Sequence, residues 1–272
     1  MNSPIIRYHG AKWRIAPWVI SHLPKHNCYL EPFSGSAAVL LRKDRSQIEV
    51  INDLNGRLVN LFRVIRQSPD QLADLIALTP YAEAEYHAAR EVSADPIEDA
   101  RRMMILGWQG HGSTASSGGR LTGWRRGLRH RGPHSADQWS RVPERMQDFA
   151  ERLAGVFIEQ RPAIELIERW GKEPGSLIYA DPPYVAGTRC PGEGSRGYAH
   201  EMSDADHVAL ADALKASPAT AVISGYRCDL YDELYQDWIR HDHAARVDQG
   251  GLRTESLWIK PTLAPKTETQ GN

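Results

Sequence analysis

Leu177-Ile178-Tyr179-Ala180-Asp181-Pro182-Pro183-Tyr184 begins as a continuous apolar run and breaks off at an acid, two prolines and an aromatic. A short unbroken apolar segment bounded by a turn is the pattern of a strand buried on both faces, as in a parallel sheet. The paired prolines lack backbone N–H groups and hold φ near about −65°, so the segment cannot extend the sheet and must turn outward at the strand's carboxyl end. Open α/β sheets bind their ligands there. The Asp181 carboxylate and the Pro182 carbonyl can each accept a hydrogen bond from a ligand amine. Pro183 keeps that carbonyl rigid, and Tyr184 can stack on the flat ring that bears the amine.

The same strand-turn-helix logic occurs earlier, at Cys28-Tyr29-Leu30-Glu31-Pro32-Phe33-Ser34-Gly35-Ser36 followed by a helical run from Ala37 to Lys43. Gly35 between two serines permits a tight turn, and the helix start behind it offers free N–H groups and partial positive charge. The next strand, Ile48 to Ile51, ends in Asn52-Asp53. An acid about 20 residues past such a glycine turn is where these folds hold ribose hydroxyls. Neither G-x-G-x-x-G nor G-x-x-x-x-G-K-[ST] occurs, which removes the main support for a nicotinamide or ATP site. A site for a different nucleoside cofactor remains. Near the N-terminus, Tyr8-His9-Gly10-Ala11-Lys12-Trp13-Arg14 precedes a helix-like stretch from Ile15 to Leu23. It adds an aromatic face at Tyr8, a small approach to a ligand at Gly10-Ala11 and a cation at Lys12 able to meet a carboxylate.

In this order the motifs resemble those of the DNA adenine-N6 methyltransferases of the Dam-like (D12) class. The matching series is Tyr8-x-Gly10-x-Lys12, Glu31-Pro32-Phe33-x-Gly35, Asn52-Asp53-Leu54-Asn55, a long insert, then Asp181-Pro182-Pro183-Tyr184. Val222 to Tyr226, Leu230 to Tyr235 and Arg253 to Ile259 are also similar, so the resemblance spans roughly residues 5 to 260. It implies a Rossmann-like α/β sheet and S-adenosylmethionine as cofactor, with Tyr8, Gly10, Lys12, Glu31, Phe33, Gly35, Asp53 and Asp181 in the cofactor site. Ile158, on the strand Val156-Phe157-Ile158, is assigned to the cofactor's adenine pocket. Phe33 would face the sulfonium, a cation over an aromatic ring worth about 0.5 to 2 kcal/mol. Two positions depart from the pattern: Ala11 replaces a glycine, and Gln160-Arg161-Pro162 replaces a stretch that often holds asparagine or aspartate.

The chemistry then expected is transfer of a methyl group to an adenine N6, with Asp181, Pro182, Pro183 and Tyr184 as the catalytic residues. That nitrogen's lone pair is delocalised into the ring, and accepting hydrogen bonds from both of its N–H groups would raise its reactivity by positioning and electrostatics. The expectation includes no covalent intermediate and no metal. A base inside a duplex must flip out to reach such a pocket, with Tyr184 replacing part of the stacking it loses. The same chemistry on RNA adenine or on cytosine N4, and a DNA-binding protein that has lost catalysis, are the alternatives.

Between residues 100 and 136 the sequence holds seven arginines, at 101, 102, 120, 125, 126, 129 and 131, and no acid, although the whole chain has a net charge of only −1. Arg120, Arg125, Arg126, Arg129 and Arg131 lie in a Gly/Ser-rich stretch within 110–136 and are expected to contact DNA. Helices from about 69 to 78, 82 to 91, 96 to 108 and 143 to 153 should carry this loop. Ser68-Pro69-Asp70-Gln71 and Asp95-Pro96-Ile97-Glu98 supply the start signals for two of them. The division expected is a catalytic domain of residues 1–62 and 154–260, a helical target-recognition insert of 63–153 and a disordered tail of 261–272.

At 272 residues and 41% hydrophobic content the chain can bury a sizeable core. No apolar stretch approaches the roughly 20 residues that span a bilayer, and the N-terminus lacks a signal-peptide core. The three cysteines, at 28, 190 and 228, form no C-x-x-C pair and read as reduced thiols in a cytoplasmic setting, and the resemblance implies double-stranded DNA as the partner of a protein expected to be a monomer. His241-x-His243 carries metal-ligand residue types, but its spacing on a strand points to a structural role.

Overall fold

A computed structural model of the chain describes residues 3–111, 122–126, 134–173, 175–188, 198–246 and 252–261. Runs of three to eight residues form the strands β1 (Cys28–Glu31), β2 (Ile48–Asn52), β3 (Phe157–Glu159), β4 (Ser176–Ala180), β5 (Thr220–Tyr226), β6 (Ile239–Arg246) and β7 (Leu252–Ile259). They make one sheet in the order β3-β2-β1-β4-β5-β7-β6, parallel except at β7, which lies antiparallel to both of its neighbours. Every residue of β1 and β4 is buried, as a doubly covered parallel strand requires.

Alternation along the strands sorts side chains into two cores. Tyr29, Ile51, Leu177, Tyr179, Val222 and Leu257 point to one face, and Leu30, Val50, Ile178, Ala180, Ile223 and Trp258 to the other. The second face is covered by α9 (Ala163–Trp170), α10 (Asp204–Ala216) and α11 (Asp229–Leu234). The first is covered by α1 (Ala16–Ser21), α2 (Ala38–Arg42) and α3 (Gly56–Gln67). Its apolar cluster runs on without a break into α4 (Pro69–Leu78), α5 (Glu83–Ala88), α6 (Pro96–Gln109), α7 (Ser135–Ser140) and α8 (Met146–Leu153). Met103 and Met104 are core residues of this cluster. Arg152 of α8 ties the helices to the sheet through buried bonds to both oxygens of Glu49 on β2, at 2.6 and 2.9 Å.

The helix-start signals divide. The Asp95 side chain accepts from the N–H groups of Ile97 and Glu98 and caps α6, whereas Ser68 makes no side-chain cap although α4 does begin at Pro69. The reason is that Ser68 also ends α3, donating its own N–H to the Val64 carbonyl. Glu98 does not reach back to the cap. It binds Arg101 and Arg102 at 2.7 Å each, one turn along its own helix. The stretch expected to be helical from 82 to 91 is shorter, running only from Glu83 to Ala88.

The N-terminal segment is fixed from two sides. Gly107 of α6 leaves room for Ile6, whose Cγ1 would lie 2.3 Å from any Cβ at that position, and the Trp108 indole donates to the Ile5 carbonyl at 2.9 Å. Lys12 begins the other anchor, its carbonyl accepting from the N–H groups of Ile15 and Ala16 at the start of α1. Tyr8 to Lys12 are thereby suspended over the carboxyl ends of the central strands.

Candidate active site

A cavity of about 300 Å3 opens at the carboxyl ends of β1, β2 and β4, the place where an open α/β sheet holds its ligand. Tyr8, Gly10, Lys12, Glu31, Phe33, Gly35, Asp53, Asp181 and Pro183 all line it. Elements far apart in sequence are thus brought to one pocket. Pro182 and Tyr184 are buried just behind the wall.

Asp53 is held for ligand contact by the turn it faces. The Gly35 N–H donates to its Oδ2 at 2.9 Å and the Asn55 N–H to its Oδ1 at 2.9 Å. Burial raises its pKa from the ordinary aspartate value, and these two backbone bonds oppose the rise. Gly35 adopts φ +47°, and Tyr8 packs so closely that a Cβ there would meet its ring at 3.3 Å. Ala37 follows at φ +53°, a left-handed conformation that costs a non-glycine residue about 1 to 2 kcal/mol.

Asn52, at the end of β2, clamps the three loops that form this wall. Its Nδ2 donates to the carbonyls of Pro32 at 2.9 Å and Arg161 at 3.0 Å, and its Oδ1 accepts from the Arg161 N–H at 2.9 Å. Sequence reasoning named Asn52 without a role, because a clamp across three strands has no local signature.

Lys12 is only 6% exposed and pairs with Asp181, its Nζ 2.8 Å from Oδ1. It also donates to the Gly10 carbonyl at 2.9 Å. Burial alone would lower the pKa of this ammonium, but the charge of Asp181, followed by that of Glu255, holds it above the ordinary lysine range. The Ser224 hydroxyl donates to the same Asp181 Oδ1 at 2.7 Å. Among the described residues both bonds fall on Oδ1, which leaves Oδ2 as an acceptor, and nothing bonds to the Pro182 carbonyl. The carboxylate that Lys12 meets is one of the protein's own.

Tyr184 is 7% exposed and does not line the cavity. The Lys12 ammonium lies 4.6 Å from its ring centroid and Tyr226 packs against it edge-on at 4.7 Å. Glu31 is buried as well. Burial pushes its carboxyl up to about 8, against the Tyr29 hydroxyl that donates to Oε2 at 3.2 Å and with the Asp181 charge adding to the rise.

Ile158 lies half-buried on β3 against the apolar cluster of the first sheet face, not at the cavity. The wall there is supplied by Pro162, Ala163 and Ile164, because the chain turns inward only after Arg161. Leu54, Ser36, Tyr198 and Met202 also line the cavity and carried no expectation. Tyr198 closes over the N-terminal segment, with its hydroxyl 2.2 Å from where a Gly10 Cβ would stand and its ring 4.8 Å from that of His9. The space at Gly10 thus serves Tyr198.

Arg125 is anchored through its backbone at the end of α6, with Arg126 next to it. The Arg125 N–H donates to Gln109 and its carbonyl accepts from the Tyr81 hydroxyl at 2.7 Å. The Arg126 side chain is exposed. Arg101 and Arg102 pair with Glu98, and Arg101 also with Glu85 at 2.9 Å, so two of the seven arginines are neutralised by acids one or more turns away. Arg120, Arg129 and Arg131 lie outside the described residues, as do Cys190 and the segment 262–272. His241 and His243 pack on α1, against His22 and Trp18 at 4.4 and 4.8 Å. Cys28 and Cys228 are free thiols. Among the described residues no helix is long and apolar enough to cross a membrane.

Fold and pocket together define an α/β protein with a cleft at the carboxyl ends of its central strands and a half-buried, charge-paired acid at its wall. The family described as D12 class N6 adenine-specific DNA methyltransferase matches residues 8–249, and the chain belongs to that family. The DNA adenine methylase of Escherichia coli (strain K12) is 25% identical over 194 residues, covering 68% of this chain and 66% of its own length. The Type II methyltransferase M1.LlaDCHI of Lactococcus lactis subsp. cremoris is 27% identical over 264 residues, covering 91% of this chain and 89% of its own. A third relative, the DNA adenine methylase of Haemophilus influenzae, is 31% identical over 70 residues, 25% of this chain and 24% of its own.

Proposed function

We propose that this chain transfers a methyl group from S-adenosylmethionine to the N6 amino group of an adenine flipped out of duplex DNA. The observation that carries the reading is Asp181 at the cavity wall with the Pro182 carbonyl next to it in the chain. One carboxylate oxygen is locked by Lys12 and Ser224 while the other, together with a proline-fixed carbonyl, is left to accept. Two acceptors side by side suit an amine with two N–H groups.

The pocket's own chemistry fits the cofactor. Ser36 is 2% exposed and lines the cavity, and among the described residues its hydroxyl has no hydrogen-bond partner, which is what a polar ligand leaves behind. Glu31, Asp53, Asp181, Glu201 and Asp206 outnumber Lys12 in the lining among the described residues, as suits a cationic ligand. Bound S-adenosylmethionine supplies an electrophilic methyl group on a positively charged sulfur. Asp53 would hold ribose hydroxyls, Glu31 and Ser36 the polar end, and Phe33 would offer its ring to the positive charge. Leu54, Pro162 and Ile164 would enclose a flat apolar ring.

Asp181 and the Pro182 carbonyl then grip the two N–H groups of the target amine, which localises its lone pair toward the methyl group. No base need remove the proton before transfer. Lys12 and Ser224 keep the Asp181 carboxylate oriented. Tyr184 stacks on the flipped base. The helices α4 to α8 with the loop around Arg125 and Arg126 serve as the target-recognition part, with these arginines and Arg120, Arg129 and Arg131 on the DNA.

Nucleoside mass spectrometry of unmethylated duplex DNA incubated with the protein and S-adenosylmethionine tests this. The expected product is N6-methyladenine, at a yield that RNA and single-stranded competitors do not reduce. Methyl incorporation into cytosine or RNA alone would overturn the assignment.

A further inference from the structure

Tyr184 is gripped at its hydroxyl by a residue outside the cavity. Its phenol donates to Glu255 Oε2 at 2.6 Å. A phenol-to-carboxylate bond of this length is charge-assisted and among the stronger hydrogen bonds a protein makes. Glu255 stands on β7 directly across from Tyr226 on β5, the same tyrosine that packs edge-on against Tyr184. Two residues along β7, the Arg253 guanidinium lies 4.9 Å over the Tyr226 ring. The Tyr184 ring is thereby held by Glu255, Tyr226 and Lys12, three side chains on three different elements.

Glu255 does not line the cavity and touches no atom that reacts. Burial raises its pKa, with the Lys12 charge and the Tyr184 bond opposing the rise. An apolar residue at such a largely enclosed position would serve folding as well or better. We infer that Glu255 is a positioning residue that fixes the Tyr184 ring in the plane where it stacks on the flipped adenine. The inference rests on the reading of Tyr184 given under the proposed function. Without the Glu255 bond the phenol can rock about its χ angles, and a misplacement of about 1 Å near reacting groups costs on the order of 10²-fold in rate.

The experiment compares wild type, Glu255→Ala, Glu255→Gln, Tyr184→Phe and the Tyr184→Phe/Glu255→Ala double variant. Methylation of unmethylated plasmid DNA is measured at saturating S-adenosylmethionine, alongside the affinity for S-adenosylhomocysteine. Glu255→Ala should lower kcat by about 10- to 100-fold while cofactor-product affinity stays within about threefold. Glu255→Gln, whose amide oxygen still accepts from the phenol, should return kcat to within about threefold of wild type. In the Tyr184→Phe background, which has no phenol to hold, adding Glu255→Ala should change kcat by less than about twofold.

An unchanged kcat in Glu255→Ala, or a loss just as large in the Tyr184→Phe background, would overturn the role. So would a loss that appears as weakened cofactor binding. Should Glu255→Ala fail to fold, Glu255→Met fills the site and is read in the same cycle. A wild-type protein that leaves adenine unmethylated overturns the parent reading and this one together. A wild type that methylates but ignores Glu255 overturns this one alone.

Discussion

Glu31 shows how one buried side chain couples the pocket to pH. Its carboxyl is pushed up to about 8 by burial, so the folded protein keeps a proton that the unfolded chain gives up in the ordinary glutamate range. The folded state binds more protons than the unfolded one between those two values. Its contribution to stability is therefore full below the unfolded pKa and is lost as pH rises through about 8. Glu31→Gln, which mimics the protonated form, should flatten that part of the dependence of Tm on pH. A cationic ligand has the opposite preference, because it favours the ionised carboxylate. Calorimetric titration with S-adenosylmethionine should thus show affinity tightening between pH about 7 and about 9 in wild type, and a flat profile in Glu31→Gln. Equal pH profiles for the two proteins would remove Glu31 from the ligand's surroundings.

The individual residues were unequally legible. Asp181 could be placed from its neighbours alone, since four apolar residues and two prolines dictate a buried strand end. Asp53 followed from spacing. The partner of Lys12 could not be read, because its pairing with Asp181 joins the first turn of the chain to β4 and only the closed sheet reveals it. Arg101 and Arg102 were counted with the local positive charge although they fall within the helix expected from 96 to 108, because the window began at Ala100, two residues past Glu98. Helical spacing of three and four residues back to Glu98 was the signal that could have separated them.

At the scale of elements, the packing of α6 against the N-terminal segment decides where Tyr8 and Lys12 sit. Helix propensity alone says that Gly107→Ala should stabilise α6 by about 1 kcal/mol. The added Cβ would lie 2.3 Å from Ile6 Cγ1 and 3.2 Å from the Arg7 carbonyl, so the steric term wins. The substitution is expected to destabilise the protein by about 1 to 3 kcal/mol in urea unfolding. It should also cut methylation more than stability alone explains, since the displaced segment carries Lys12. A gain in stability would mean that the segment yields freely.

Two of the helices between β2 and β3, α4 and α6, announced themselves, through proline at the first position and, for α6, through the Asp95 cap. The start of α10 carries an equally plain signal, absent from the expectations above. The Ser203 hydroxyl accepts from the Asp206 N–H, and Asp206 accepts from the Ser203 N–H, a capping box written as Ser-x-x-Asp. The placement of β7 between β5 and β6 had no local signal at all. It depends on a hairpin folding back antiparallel into an otherwise parallel sheet.

For the whole molecule, net charge is nearly balanced while the arginines expected to meet DNA are gathered in one loop. Withdrawing one cation from a phosphate reduces the slope of log affinity against log salt by about 0.9 on duplex DNA. Arg125→Gln with Arg126→Gln should therefore lower that slope by about 1 to 2 and leave S-adenosylhomocysteine affinity nearly unchanged. Binding isotherms at several salt concentrations decide it, and an unaltered slope would take these two residues off the DNA. The first-face core continues into α4 to α8, so these helices share one apolar core with the sheet.

The central claim, that Asp181 grips the amine it activates, is tested most directly by single-turnover methylation with Asp181→Ala on DNA that the wild type methylates. The expected result is loss of N6-methyladenine formation by a factor of about 10² or more, in a protein that stays folded and still binds DNA. An Asp181→Ala protein that methylates at the wild-type rate would contradict the account.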